Sequence, residues 1–266
     1  MKHALRFFRA LFEKRHLMLD LAVRDFMSGY YGSTLGIAWA FIEPMIYMAI
    51  MYIFFKKALR YAPSGDAPYL PWLMSSMAVW TLFSGAIQAS STVFRSHHYL
   101  LKKWEFNMSI LPVVSILSLL FVHAVFLFLL VGVFLLSGVH FSFYWFQFLY
   151  YLFALCVLIL GVSWITASVN LFIKDTKNVI SVMLQIGFWV SPIFWEIKSY
   201  PERYRPLIKL NPLYYIMTGY RNSFLYHRPF WLDERGTASF WIITLAVLGI
   251  GLFVYRKLRP YFGDVI

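Results

Sequence analysis

Long apolar stretches alternate with short polar ones along the whole chain. A membrane-crossing helix needs about 20 mostly apolar residues, and six stretches fit that length: 34–55, 69–92, 108–139, 143–172, 179–195 and 238–255. The third and fourth exceed one straight crossing, so they tilt or run past the bilayer. Ahead of the first, Leu5, Phe8, Leu11 and Phe12 recur at helical spacing, and Lys2, Arg6, Arg9, Lys14 and Arg15 fill the other side. That is the pattern of an amphipathic helix lying on a membrane surface; an ordinary surface helix packed on protein has it too. Between the fifth and sixth stretches, residues 196–237 are long and basic yet hold the apolar run PLYYIMTGY at 212–220. This run is too short to cross, and Pro212 and Gly219 interrupt it. It reads either as re-entrant or interfacial helices shielded by neighbouring protein or as a plain amphipathic loop helix. The expected fold is an all-α integral membrane protein. It has six transmembrane helices, an N-terminal amphipathic interfacial helix, and an outer re-entrant helical hairpin between helices 5 and 6. One domain covers 1–266: an interfacial N-terminus at 1–33, the membrane region at 34–256 and a tail at 257–266.

Composition supports lipid as the solvent. Hydrophobic residues make up 61% of the 266 and charged residues 14%, against about 45–50% and about 25% in soluble domains. Aromatics reach 21%, which suits a chain with many membrane interfaces. The net charge of +12 would suggest nucleic acid on a soluble protein. Here it suits cytoplasmic anchoring and anionic lipid headgroups, with no nucleic-acid partner. The scattered basic N-terminus lacks the uninterrupted apolar core of a secretory signal. With both termini inside, Lys and Arg gather in the short loops near Arg95 and Lys174, while the turn at 137–142 carries neither. The expected placement is a multi-pass protein of the cell inner (plasma) membrane with N and C termini in the cytoplasm.

The ionisable groups exclude several chemistries. Within the stretches only Glu43 and His123 stand out, and such groups are functional candidates by default. Glu43 precedes Pro44, which deletes a backbone bond and should kink the helix. A lone histidine such as His123 is more often neutral and satisfied by a neighbouring carbonyl. There is no relay of buried carboxylates for ion coupling, no clustered His, Cys or carboxylates for a metal, and no G-x-S-x-G elbow. His97 and His98 are adjacent rather than one turn apart, and Cys156 is the sole cysteine. The dipeptide Gly-Lys never occurs, so there is no phosphate-binding P-loop. Any uphill movement must draw its energy from another chain.

Four ordered blocks carry a resemblance. RDFMSGYYGSTLGIAWAFIEP at 24–44 is similar to the opening of polysaccharide-exporting ABC permeases (O-antigen, teichoic acid and capsule exporters) of the type 2 ABC family. LFIKDTKN at 171–178 resembles that family's cytoplasmic loop and leads into LQIGFWVSPIFW at 184–195, similar to its fifth span. KLNP at 209–212 with GYR at 219–221 resembles its outer hairpin, and RKLRPYFGD at 256–264 has the character of its C-terminus. Glu43 departs from the Gln, Asn or His usual in the O-antigen and teichoic acid branches and resembles some capsule exporters, which leaves the glycan open.

The resemblance implies a transport subunit without an active site of its own. Two copies would form a pore (a homodimer), and two copies of a separate ATP-binding subunit would bind ATP and Mg. A lipid-linked polysaccharide would slide through. This chain would hold no cofactor and no metal. A sliding glycan favours a smooth, aromatic and uncharged lining, for which Trp39, Tyr47, Phe188, Trp189 and Trp195 are the candidates, with Glu43 also placed on the pathway; lipid-facing or core packing is the alternative for each aromatic. Arg24, Asp25 and Tyr30 would form the substrate gate, with Arg24 and Asp25 either clamping a pyrophosphate or pairing with each other. The loop 94–107 would be the ATPase-coupling segment, through Phe94, Arg95, His97, Tyr99, Leu100, Lys102, Lys103 and Glu105; from chemistry alone it reads as a solvated connector. Asn211, Pro212 and Arg221 mark the outer hairpin, where Arg203, Arg205 and Arg221 would meet headgroups or balance Glu202. The alternatives are a permease of the same architecture exporting a drug or small lipid, a membrane-bound glycosyl- or acyltransferase, and a passive channel.

Overall fold

The computed structural model describes residues 11–58, 60, 67–101 and 107–265. The expected contributions of Lys2, Leu5, Arg6, Phe8 and Arg9 lie outside these. The described residues are mostly helical and contain no strand. Nine helices organise them: α1 Arg15–Ser28, α2 Trp39–Tyr52, α3 Tyr69–Ser96, α4 Leu111–Leu136, α5 Phe148–Phe172, α6 Thr176–Val190, α7 Arg205–Leu210, α8 Pro212–Arg221 and α9 Glu234–Leu258. Short tighter turns extend several of them. Five of the resulting helices are long and apolar enough to cross a membrane: Gly36–Lys57, Tyr69–Ser96, Met108–Leu136, Phe143–Phe172 and Glu234–Tyr261. They overlay five of the six apolar stretches of the sequence.

The stretch 179–195 behaves differently. Its helix, α6, has 15 residues, about 22 Å at 1.5 Å per residue, against a hydrocarbon thickness of about 30 Å. Pro192 is the reason it stops. A residue before proline is driven out of the helical region, and Ser191 is extended at φ −74° and ψ 148°. By contrast Pro44 sits inside α2 without ending it; α2 gives way only at Ile53–Ala58, a stretch of wider turns.

Helix starts follow local chemistry. Asn211 accepts from the Leu213 amide at 3.0 Å and Pro212 occupies the first turn of α8, a position where its missing N–H costs nothing. Asp233 accepts from the Gly236 amide at 3.0 Å to start α9. A Cβ at Gly236 would lie 2.2 Å from that carboxylate, so the cap needs glycine there.

Two apolar clusters hold the helices together. One joins Trp72 and Met77 of α3, Phe126 and Phe134 of α4, Tyr151 of α5, Phe194 after α6, Ile216 and Tyr220 of α8, and Phe240 of α9. The other joins Met18, Leu21 and Ala22 of α1 to Phe94, Leu100, Val114, Trp164, Tyr255 and Phe262. Helix α3 runs through both and is buried along most of its length, whereas α2 and α9 are mostly exposed. The apolar run 212–220 is α8, packed against α3, α5 and α9 with Leu213, Ile216, Met217 and Tyr220 buried. The protein therefore shields its backbone, and it is not a loosely attached loop helix.

Candidate functional site

On α2, Trp39, Glu43 and Tyr47 are spaced by four residues and so fall on one face. Trp39 is 40% exposed, Glu43 is exposed and Tyr47 is half-buried. Tyr47 meets α6 through Phe188, ring centres 6.5 Å apart. Phe188 also contacts Trp80 at 5.5 Å and Phe194 at 5.1 Å. Trp189, 53% exposed, lies 5.8 Å from Phe194, and Trp195 lies 6.0 Å from it. Tyr47, Phe188, Trp189 and Trp195 thus form one aromatic group, with Trp39 and Glu43 continuing its α2 side. The centre of the group is Phe194, stacked on Phe55 at 4.4 Å and 8°. The sequence reading passed over Phe55, Trp80 and Phe194. Phe194 follows the Pro192 break, where no helical periodicity marks a buried position. The indole N–H of Trp195 donates to the Tyr200 hydroxyl, which donates to the Val190 carbonyl at 3.2 Å.

At the opposite end, Arg24 is exposed, and Asp25 faces His97 with Oδ1 3.4 Å from Nε2. The carboxylate is taken by His97 and not by Arg24. His97 is buried, and its pKa is raised above the ordinary value of 6.5. The contact with the Asp25 carboxylate is the main cause, and burial works against it. Tyr30, edge-on to Phe26 at 5.3 Å, has a raised pKa through burial and through the Glu43 charge.

The end of α3 and the turn that follows it are anchored at every third residue. Phe94 is buried 5.2 Å from Phe262 and 6.1 Å from Tyr255. His97 is buried against Asp25, and Leu100 is buried in the apolar cluster beside α1. These three face inward, while His98 and Tyr99 face out, Tyr99 at 44% exposure. Arg95 donates to the Leu171 carbonyl at 2.9 Å, so its charge serves the α3–α5 contact. Lys102, Lys103 and Glu105 lie outside the described residues.

On the hairpin, Asn211 caps α8 and reaches Ser191 Oγ at 3.3 Å. Glu202 is balanced by Arg205 at 3.2 Å, and Arg205 also donates to the Lys198 and Tyr200 carbonyls. Arg203 stacks over Tyr204 at 4.4 Å. Arg221 turns inward. Its guanidinium lies 3.4 Å from the Trp72 ring centre and donates to the carbonyls of Trp72 and Ile193 at 3.4 and 2.9 Å. His123 is buried between the Ala78 carbonyl and the Tyr220 hydroxyl, at 3.1 and 3.2 Å, and joins α3, α4 and α8. No cluster of His, Cys, Asp and Glu able to hold a metal occurs among the described residues.

Comparison with known proteins places this arrangement. The model of the ABC-2 type transporter family matches residues 18–225. The chain is 27% identical over 273 residues to the O-antigen export system permease protein RfbA of Myxococcus xanthus, covering 98% of this chain and 100% of that protein. An RfbA of Klebsiella pneumoniae is 24% identical, covering 94% of this chain and 95% of that protein. The polysialic acid transport protein KpsM of Escherichia coli is 23% identical, with 93% and 96% covered.

Proposed function

The chain belongs to the ABC-2 type transporter family, whose model spans most of its length, and from that membership we propose that it is the permease of an ATP-driven exporter of a lipid-linked polysaccharide. The functions in the names of its relatives, O-antigen export and polysialic acid transport, support a glycan cargo of the O-antigen or capsule type. Two copies would enclose the path in the inner membrane with their termini in the cytoplasm. Two ATP-binding subunits beneath them would bind ATP and Mg and supply the energy.

One observation carries the reading: Glu43 is exposed on a helix long and apolar enough to span. It lies seven residues beyond Gly36, about 10 Å into that helix. A charge facing hydrocarbon at mid-span costs about 3 kcal/mol or more. A face that carries Glu43 between Trp39 and Tyr47 is therefore a wall of a wet, aromatic path or of a contact between copies. Aromatic rings stack on sugar faces without imposing one hydrogen-bond register, which a chain that must slide requires.

The sixth crossing falls to α6 with help. Its 15-residue helix is continued by the non-helical 191–195 segment, whose Ile193 carbonyl accepts from Arg221, and α7 and α8 enter the outer side as a hairpin packed on protein. Irregular backbone at membrane depth is tolerated where protein shields it.

Deleting the gene and locating the long-chain glycan tests the reading. Lipid-linked glycan retained inside the cell supports it and identifies the cargo. Unchanged surface glycan overturns it in favour of a permease for a drug or small lipid.

A further inference from the structure

The inner end of α3 is tied on three sides. Toward α5, Arg95 donates to the Leu171 carbonyl at 2.9 Å and Asn170 donates to the Ser91 carbonyl at 2.7 Å. Toward α9 and the tail, Phe94 is wedged between Tyr255 and Phe262. Toward α1, the polar tie is His97 to Asp25. The first two ties are neutral packing or hydrogen bonds to backbone carbonyls deep in the protein. The third joins two ionisable side chains, and Asp25 is 29% exposed.

The geometry of the third tie sets which ring nitrogen meets which partner. The Nδ1 of His97 lies 3.2 Å from the Val93 carbonyl and 3.1 Å from Ser96 Oγ, and Nε2 faces the Asp25 carboxylate. A carbonyl and a carboxylate only accept hydrogen bonds. A neutral imidazole carries one N–H and satisfies one of them; the imidazolium satisfies both. An N–H on Nε2 serves the Asp25 carboxylate in either protonation state, and the imidazolium adds a second donor on Nδ1 for the Val93 carbonyl and a charge opposite Asp25.

We propose that Asp25 and His97 are positioning residues, an ionic joint that makes α1 follow the 97–101 turn when a partner displaces that turn. The proposal rests on the reading of residues 94–107 as the contact for an ATP-binding subunit and of α1 as part of the substrate gate. Inward-facing Phe94, His97 and Leu100 alternate with outward-facing His98 and Tyr99. A push on the outer face thus reaches α1 through His97 and through Leu100, which shares a buried cluster with Met18, Leu21 and Ala22. Leu100 supplies apolar contact without direction. The ion pair supplies one fixed point, next to the place where α1 ends at Ser28. Asp25 is then unavailable as a ligand for cargo.

The test is a double-mutant cycle in the permease assembled with its ATP-binding partner, reading surface glycan and ATP turnover together. Asp25→Asn and His97→Gln each lower export about 5- to 10-fold, a usual size for coupling between sites, with ATP turnover within about twofold. The double variant is no worse than either single one, because both remove the same interaction. Asp25→Glu with His97→Arg keeps both charges and retains most of the export. Single losses that multiply in the double variant overturn the joint, as does a loss on Asp25→Asn with none on His97→Gln. A readout that needs no glycan separates this from the export reading: the distance between spin labels at Leu17→Cys and Tyr99→Cys. In the parent that distance is narrowly distributed, and both single variants broaden it alike if the joint exists. An unbroadened distance overturns the joint even if export proceeds, and a broadened one upholds it even if the cargo proves not to be a glycan.

Discussion

Arg221 shows how one side chain can serve a break in a helix. Because α6 stops at Val190, the carbonyls that follow have no helical partners. The guanidinium, 6% exposed, donates to Ile193 of that segment and to Trp72 at the start of α3 while lying flat on the Trp72 ring. A planar fork does both at once, and an ammonium does not. Arg221→Met takes the donor from the Ile193 carbonyl, at about 1–3 kcal/mol, and removes a desolvated cation–π contact of about 2 kcal/mol. Arg221→Lys recovers one bond and little of the stacking. In detergent melts Met is expected to lower the midpoint most, Lys less; equal midpoints for Lys and Arg would mean that the fork geometry is idle. His97 makes a pH prediction of definite sign. Its pKa is raised in the folded chain, so its stabilisation is fully present below the ordinary 6.5 and is lost as pH rises through the raised value. The stability gap between the parent and His97→Gln should be widest on the acid side and narrow above neutrality. A gap that widens with pH would require a neutral histidine in the native state.

At the scale of helices, the long apolar elements were legible because lipid imposes one rule on all of them. Tyr69–Ser96 and Phe143–Phe172 start where the sequence pattern places them, at Pro68 and after Ser142. Helix α6 was not legible as a short element, because hydropathy continues through Ser191 and Pro192 into Ile193-Phe194-Trp195 while the backbone does not. The role of α8 was half visible: its apolar run announces burial, but only folding reveals that its neighbours are α3, α5 and α9. Close approach between helices was silent as well. Helices α5 and α9 meet at Gly161 and Gly251, where a Cβ on Gly251 would stand 2.3 Å from the Gly161 carbonyl oxygen and one on Gly161 would stand 2.9 Å from the Leu248 backbone. Neither obstacle is a flexible side-chain tip, so the helices must separate, at a cost of about 1–3 kcal/mol for overpacking. Small residues that let backbones approach are a general device where apolar faces gain nothing by leaving lipid. Gly249 is the control, since a Cβ there meets nothing within 4 Å. Gly251→Ala and Gly161→Ala should lower the thermal midpoint and the amount of folded protein in the membrane, while Gly249→Ala leaves both unchanged. If all three behave alike, α5 and α9 do not pack through this contact.

At the scale of the whole molecule, two of the exposed faces are chemically unlike. The outer face of α9 presents Ile242, Leu245, Ile250 and Phe253, with no charge among them, as a surface in lipid should be. The outer face of α2 presents Ile46 and Ile50 together with the carboxylate of Glu43 and the indole of Trp39. Hydropathy alone calls both lipid-facing; Glu43 is the residue that separates them, and it was the one charge the sequence singled out. Water reaches a carboxylate's surroundings and does not reach the face of a helix in hydrocarbon, and a thiol reacts with a charged reagent only as the solvated thiolate. Cysteines placed one at a time at Ile46 and Ile50 should therefore be modified by a membrane-impermeant charged thiol reagent in intact membranes. Those at Ile242, Ile250 and Phe253 should not, with Cys156→Ser as the background. Cargo or nucleotide bound to the assembled exporter should alter labelling on α2 and leave α9 unlabelled. Equal protection of both faces would place α2 in lipid or in a dry contact between copies and remove the wet path from its surface. Equal labelling of both would mean that the five long helices do not sit in the bilayer as their length and composition imply.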